Sequence, residues 1–211
     1  MNHDPILKQE HNPLSPQEPH PSRSVKWIAW GCGLLVLLIV ALVVWAVVLP
    51  NVQKERYALD YPEIIAQYAG EYDLDPYLVA AIIHVESKGN PDAESSVGAV
   101  GLMQVMPSTG EWIAEKLKRP FDVSQLKDPA TNIEMGCWYL NFLNQRFASQ
   151  DTAIAAYNAG HGRVGEWLGD EQYSQNQEDL LEIPYPETEH YVQKVREAYE
   201  KYKEFYPEVF A

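Results

Sequence analysis

The chain has 211 residues, room for one domain of ordinary size and a further segment, and its 46% hydrophobic and 22% charged residues make up a composition that folds. It carries 30 acidic against 16 basic side chains, a formal net charge of -14; binding to a phosphate backbone needs clustered Lys and Arg, so no nucleic-acid partner is expected. Two cysteines, Cys32 and Cys137, can build neither a disulfide framework nor a Cys-rich zinc site.

Residues 1–26 are polar, carry Pro5, Pro13, Pro16, Pro19 and Pro21, and show neither helix nor strand period, which reads as a disordered tail. His3, His11 and His20 lie in it as solvated residues without ligand spacing. No charged residue follows Lys26 until Lys54. Residues 27–49 form a helix reaching ~35 Å at ~1.5 Å per residue, enough for a ~30 Å hydrocarbon core. Trp27 and Trp30 at one end and Trp45 near the other suit the two interfaces. The run is too long for a cleaved signal peptide and ends in Leu49-Pro50, and most of it follows Cys32, which argues against a lipoprotein signal. An uncleaved signal anchor is therefore expected in the cytoplasmic membrane. Arg23 and Lys26 directly before the span favour a cytoplasmic N-terminus and an extracytoplasmic domain. Residues 50–60 read as a linker and residues 61–206 as the domain.

In the domain the periods are helical. Residues 63–72 place Ile64, Ile65, Tyr68 and Tyr72 on one side. Asp75 and Pro76 are a cap and a first helical residue for a helix over 76–87, which Gly89-Asn90-Pro91 stops. A Gly-, Ser- and Ala-rich loop with at most a small hairpin covers 92–106. Further helices are expected from Pro107 to Leu117, from Pro129 to Phe147, over 151–158, over 162–168 and over 187–204, with 170–186 irregular. The fold class is mainly α.

One carboxylate falls on an apolar stripe. Val79, Ile82, Ile83 and Glu86 are spaced i, i+3, i+4, i+7 and share a helix face. Burial and the negative end of the helix dipole both disfavour the Glu86 anion, and a glutamate whose pKa approaches neutral can serve as a general acid. The competing reading is a solvated helix-end Glu, or one paired with Lys88. Gln104 ends the apolar run after Gly98 and Gly101, where it either offers its amide to a polar group or caps a tight turn. Tyr157 and Asn158 close the 151–158 helix as candidates to orient a carboxyl and bind an N-acetyl group, or as a core Tyr and a C-capping Asn. His84-Val-Glu86 lacks the HExxH pattern and its ends do not share a face, while His161 and His190 have no ligand spacing, so no metal site is expected.

Four motifs in order, Glu86-Ser87, Gly101-Leu-Met-Gln104, Ala156-Tyr-Asn-Ala-Gly160 and Ile183-Pro-Tyr-Pro-Glu187-Thr188 with Tyr191-Val192, resemble the soluble-type lytic transglycosylase catalytic domain, the lysozyme-like domain of glycoside hydrolase family 23. The resemblance covers roughly residues 60–205, and Gly98 to Thr109 is its most diagnostic stretch. It implies a lysozyme-like helical fold. It also implies cleavage of the β-1,4 bond between N-acetylmuramic acid and N-acetylglucosamine in peptidoglycan strands, with closure of a 1,6-anhydro ring. On that resemblance Glu86 is the catalytic acid and base. Ser87, Gln104, Tyr157, Asn158, Glu187 and Tyr191 are substrate-binding or orienting, and no metal or organic cofactor is required. Relatives often carry an aromatic residue where this chain has Gly89, so a stacking or packing contact is expected to be missing. Asp92 and Glu94, the next acids, have no apolar setting, which fits a one-carboxylate mechanism better than the paired acids of ordinary glycosidases. A hydrolytic muramidase and a non-catalytic, membrane-tethered peptidoglycan-binding protein are the rival readings.

Overall fold

A computed structural model describes residues 23–210. The expected tail lies outside these residues, together with His3, His11 and His20, apart from its last four positions, which begin a helix. The chain divides between Asn51 and Val52 into two units.

The first unit is helix α1 (Arg23–Val43) followed by a π-helical turn at Val44–Val48. Its Leu, Ile and Val side chains from Leu34 to Val48 are exposed, with none of the unit's described residues packed over them. Among the described residues it contributes to the one stretch, Cys32–Arg56, that is long and apolar enough to cross a membrane. Helix α2 (Leu49–Arg56) carries the helical backbone through the first part of the segment read as a linker, and Lys54 and Arg56 in its last turn suit the negative end of its dipole.

The second unit is mainly helical. Helices α3 (Pro62–Glu71), α4 (Pro76–Ser87), α5 (Pro107–Leu117), α6 (Pro129–Arg146), α7 (Gln150–Ala159), α8 (His161–Leu168) and α9 (Pro186–Phe205) lie within two residues of the expected spans. The capping chemistry explains the agreement. Asp75 accepts from the Tyr77 amide at 2.9 Å, Asp128 from the Thr131 amide at 2.8 Å and Ser149 from the Thr152 amide at 3.2 Å, each satisfying an orphan donor of a first turn. A 3₁₀ turn at Val123–Lys127 was not anticipated. It is short, and its start rests on an Asp122 and Gln125 capping box whose two halves are three residues apart.

Helix α4 is the centre of the core. Leu78 through Ile83 are all buried, so only its last turn and one edge reach solvent. It packs antiparallel on α9, whose Thr188, Tyr191, Val192, Val195, Ala198 and Tyr202 form a buried stripe at helical spacing. Phenol hydrogen bonds set the register of the pair. Tyr199 donates to Asp75 at 2.7 Å and Tyr77 to the Tyr206 carbonyl at 2.7 Å at one end, and Tyr191 reaches Glu86 at the other. The 92–106 loop makes only isolated bridges, Glu94 with Val100 and Val100 with Val105, and no strand among the described residues.

Candidate active site

The end of α4 places Glu86 one turn beyond Ile82 and Ile83, which are 0% and 4% exposed. The carboxyl is therefore half-buried, and that burial raises its pKa to about 7. The Tyr191 hydroxyl donates to Oε1 at 2.6 Å, a charge-assisted bond that favours the anion and partly offsets the burial. No second acid or base among the described residues adds to these two influences, and no donor among them engages Oε2. One oxygen is thus held in place and the other is left for an incoming group. Asp92 and Glu94 are exposed on the loop, and Glu94 lies 4.0 Å from Lys127. Lys88 takes the left-handed cap position at φ 57° and forms no ion pair with Glu86.

Two tyrosines face the acid. Burial first, and the charge of Glu86 second, push the phenols of Tyr157 and Tyr191 far above the ordinary value, so both stay protonated. Tyr191 directs its proton at Glu86, whereas Tyr157 donates to the Met103 carbonyl at 2.8 Å. Tyr157 also lines a cavity of about 230 Å³, with Gln104, Met106, Thr109, Tyr139 and Asn158 around it.

The Gly-rich loop is held from three sides. Ser87 is buried; its hydroxyl donates to the Leu102 carbonyl at 2.8 Å and accepts from the Gly89 amide at 3.2 Å, so it pins the loop to α4. Gln104 adopts φ 48°, and its amide nitrogen donates to the carbonyls of Gly101 and Ala93 at 3.0 and 3.1 Å. Both amide hydrogens close the loop, which leaves only the carbonyl oxygen toward the cavity. Gly101 has φ 82°, and a Cβ there would run into the Asn132 side chain and the Leu126 carbonyl. Gly89, at φ 80°, holds a backbone that side-chain-bearing residues rarely adopt, and an added Cβ would push aside the Asp60 carboxylate, 2.6 Å away.

Asn158 is exposed at the cavity rim; its Oδ1 accepts from Thr188 at 2.8 Å, so its nitrogen is the group left to donate outward. Glu187 is exposed in the first turn of α9, beside Thr188, with no hydrogen-bond partner among the described residues. Glu86, Tyr157 and Tyr191 thus come together, Gln104 and Asn158 join Tyr157 around the cavity, Ser87 lies beneath the loop, and Glu187 stands apart at the surface.

Asn132 escaped the reading of the sequence. It is fully buried on α6, accepts from the Met103 amide at 2.7 Å, and donates to the carbonyls of Val100 and Leu126 at 2.8 Å each. It fixes the carbonyl on which Tyr157 rests. The available signal was the one that exposed Glu86: a polar residue on the apolar stripe of Ile133, Gly136 and Leu140.

This geometry has known counterparts. The family model described as the transglycosylase SLT domain matches residues 63–180. The soluble lytic murein transglycosylase of Escherichia coli K12 is 38% identical over 157 residues, 72% of this chain and 24% of that protein. The membrane-bound lytic murein transglycosylase E of Buchnera aphidicola is 40% identical over 94 residues, 43% of this chain and 42% of that protein. Among solved structures, the 70 kDa soluble lytic transglycosylase from E. coli superposes with a TM-score of 0.64 at 35% identity, over 72% of this chain and 25% of that one. An inactive glutamate-to-glutamine mutant of a lytic transglycosylase from Pseudomonas aeruginosa gives 0.63 at 33% identity, over 71% and 25%. The chain spans about a quarter of the length of its soluble relatives. Its matched residues hold α4 with Glu86, the Gly-rich loop and the Tyr157 helix, and the chain belongs to the transglycosylase SLT family.

Proposed function

We propose that the protein is a peptidoglycan lytic transglycosylase in which Glu86 alone serves as acid and base, and that its products end in 1,6-anhydro-muramic acid. The observation that carries this reading is the Glu86 carboxyl: raised to about 7 by burial, held through one oxygen by Tyr191, and accompanied by no second carboxylate among the described residues. A group poised near neutrality can give a proton and then take one back. Protonated Glu86 donates to the glycosidic oxygen as the bond from the muramoyl C1 breaks. The resulting carboxylate accepts the proton of the C6 hydroxyl as that oxygen bonds to C1, so the ring closes and no water is consumed. Holding the hydroxyl against C1 makes the second step intramolecular, which outruns attack by free water.

Tyr191 orients the carboxyl, and Tyr157 and Asn158 form the wall on which the sugar settles, the Asn158 nitrogen being suited to an N-acetyl carbonyl. Gln104 contributes its carbonyl oxygen and the shape of the loop, Ser87 acts only through that loop, and Glu187 meets the glycan at the rim. Relatives named lytic murein transglycosylase support the substrate class, and the inactive glutamate-to-glutamine relative supports an essential glutamate. The exposed apolar helix and the membrane-bound relatives support anchoring through residues 27–49, and Arg23 and Lys26 directly before the span support a cytoplasmic N-terminus with the domain outside. Protease added to intact spheroplasts should remove the domain and spare the tail; a protected domain would reverse the orientation.

Digestion of purified sacculi by the full chain, followed by mass spectrometry, tests the chemistry. Anhydro ends are expected, lighter by one water than reducing ends under the bond-making described. Recovery of reducing ends alone would make the protein a muramidase, and no release at all would leave it a binding protein.

A further inference from the structure

The acidic second unit contains a basic recess away from Glu86. It is a cavity of about 500 Å³, bordered by Arg56 and Tyr57 just after the apolar run, His84 and Lys88 at the end of α4, and Glu197 and Lys201 on α9. Its charges are unevenly balanced. Lys201 is engaged by Glu204 at 2.7 Å, and Glu197 acts on the Tyr57 hydroxyl beside it. Arg56 and Lys88 have no carboxylate within 4.0 Å among the described residues, in a chain whose formal net charge is -14. Partial desolvation against the domain, and then the like charge of Lys194, both act against the Lys88 ammonium although its side chain is exposed, and a bound anion would offset them. The His84 ring stacks on Tyr57 with centroids 4.5 Å apart, and burial holds its pKa down at about 4. It is therefore neutral at pH 7 and gives the recess an uncharged wall.

Chain connectivity keeps Arg56 near the apolar run in sequence. Arg56 is the seventh residue after Leu49 in helix α2, a rise of about 10 Å along that helix. The polar headgroup layer extends ~5–8 Å beyond the hydrocarbon. An arginine side chain at that height reaches the lipid phosphates, and its planar fork matches two phosphate oxygens.

We infer that this recess binds the phosphate of an anionic phospholipid headgroup, with Arg56 and Lys88 as its two cations and Tyr57 packed against the glycerol. The inference rests on the membrane-anchor reading above. The test is native mass spectrometry of the full chain from detergent containing equal phosphatidylglycerol and phosphatidylcholine. Wild type should retain phosphatidylglycerol by about tenfold or more, given what each cation contributes near an anionic surface. Arg56→Gln with Lys88→Gln should lose most of that preference. Both side chains are exposed, so the thermal melt should not change. Arg146→Gln with Lys127→Gln makes the same change of charge elsewhere and should leave the preference intact. No preference in wild type, survival of the preference in the recess variant, or equal loss in the control overturns the site. Abolition of lipid retention by millimolar inorganic phosphate would assign the recess to a soluble anion and overturn it too. Flotation with phosphatidylcholine vesicles separates the two readings: a chain that fails to float removes the anchor and this site together, whereas one that floats without headgroup preference removes the site alone.

Discussion

Helices α4 and α6 each carry a glutamate half-buried by packing, and the two are held in opposite ways. Glu134 on α6 is clasped through both oxygens by Arg119 Nη1, at 2.8 and 2.7 Å. Glu86 on α4 has a phenol at one oxygen and no cation among the described residues. The aromatic surroundings are alike. Tyr68 and Tyr72 have their phenols raised by burial and by Glu134, as Tyr157 and Tyr191 have theirs raised by burial and by Glu86. What separates the two acids is the counter-charge. A buried carboxylate given a cation becomes a tie between elements, here from the second residue after α5 to α6; one denied a cation is relieved only by a proton, and that proton is available for chemistry.

Replacing each acid tests the contrast, and the largest effect is expected at α4. Glu86→Gln keeps shape and hydrogen bonding but cannot donate a carboxyl proton, so release of muropeptides from sacculi should fall at least ~10²-fold with the circular dichroism spectrum unchanged. Near-normal release would place the acid elsewhere.

The same variant reports on stability. Glu86 takes up its proton at about 7 in the folded chain and near 4.5 when free of burial. Between those values the folded state holds the extra proton, so wild-type stability is complete below about 4.5 and declines as pH rises through 7. Glu86→Gln lacks this dependence. Denaturant melts should show the variant and wild type alike at low pH and the variant more stable by roughly 1–3 kcal/mol above neutrality. A constant difference across that window would mean that Glu86 is not buried as described.

Glu134→Gln should do the reverse, leaving activity within about threefold while lowering stability by about 1–2 kcal/mol, because an Arg119 nitrogen already buried without a partner loses its charged neighbour as well. Removing both partners, as Glu134→Met with Arg119→Met, should recover much of that loss in the same melts. A collapse of activity in Glu134→Gln would erase the distinction between tie and acid.

The smallest change is expected from Tyr191→Phe. Its hydroxyl lowers the Glu86 pKa, so its loss should raise that pKa further and move the alkaline limb of the kcat/KM profile toward higher pH. A limb that moves toward lower pH, or stays in place, would show that Tyr191 does not hold the carboxyl.

The helices of the domain and the position of Glu86 were legible in the sequence because the signals behind them are local. Caps such as Asp75 and Asp128 lie within three residues of the amides they satisfy, and an apolar stripe repeats every three or four residues. Glu86 betrayed itself by standing on that stripe. The sequence equally allowed Glu86 to pair with Lys88, or to be solvated. Tertiary packing excluded both, by turning Lys88 outward at the left-handed cap and bringing Tyr191 across from 105 residues away.

Ser87, Gln104 and Asn132 show the other side of the same physics. Their hydrogen-bonding groups are visible in the sequence, but what they bind is backbone carbonyls and amides, and every residue carries those alike. The family resemblance made Ser87 and Gln104 substrate contacts, with a turn cap as the other reading of Gln104, and the structure turns the Ser87 hydroxyl and the Gln104 amide hydrogens onto the loop. Asn132 read as nothing, although it holds that loop at Met103 and Val100 and ties it to Leu126. The residue types and their faces are determined along the chain. Which oxygen each donor meets, and so whether a polar side chain supports the site or serves it, is decided only when α4, α6 and α9 close on one another, because that closure selects among partners the sequence does not distinguish.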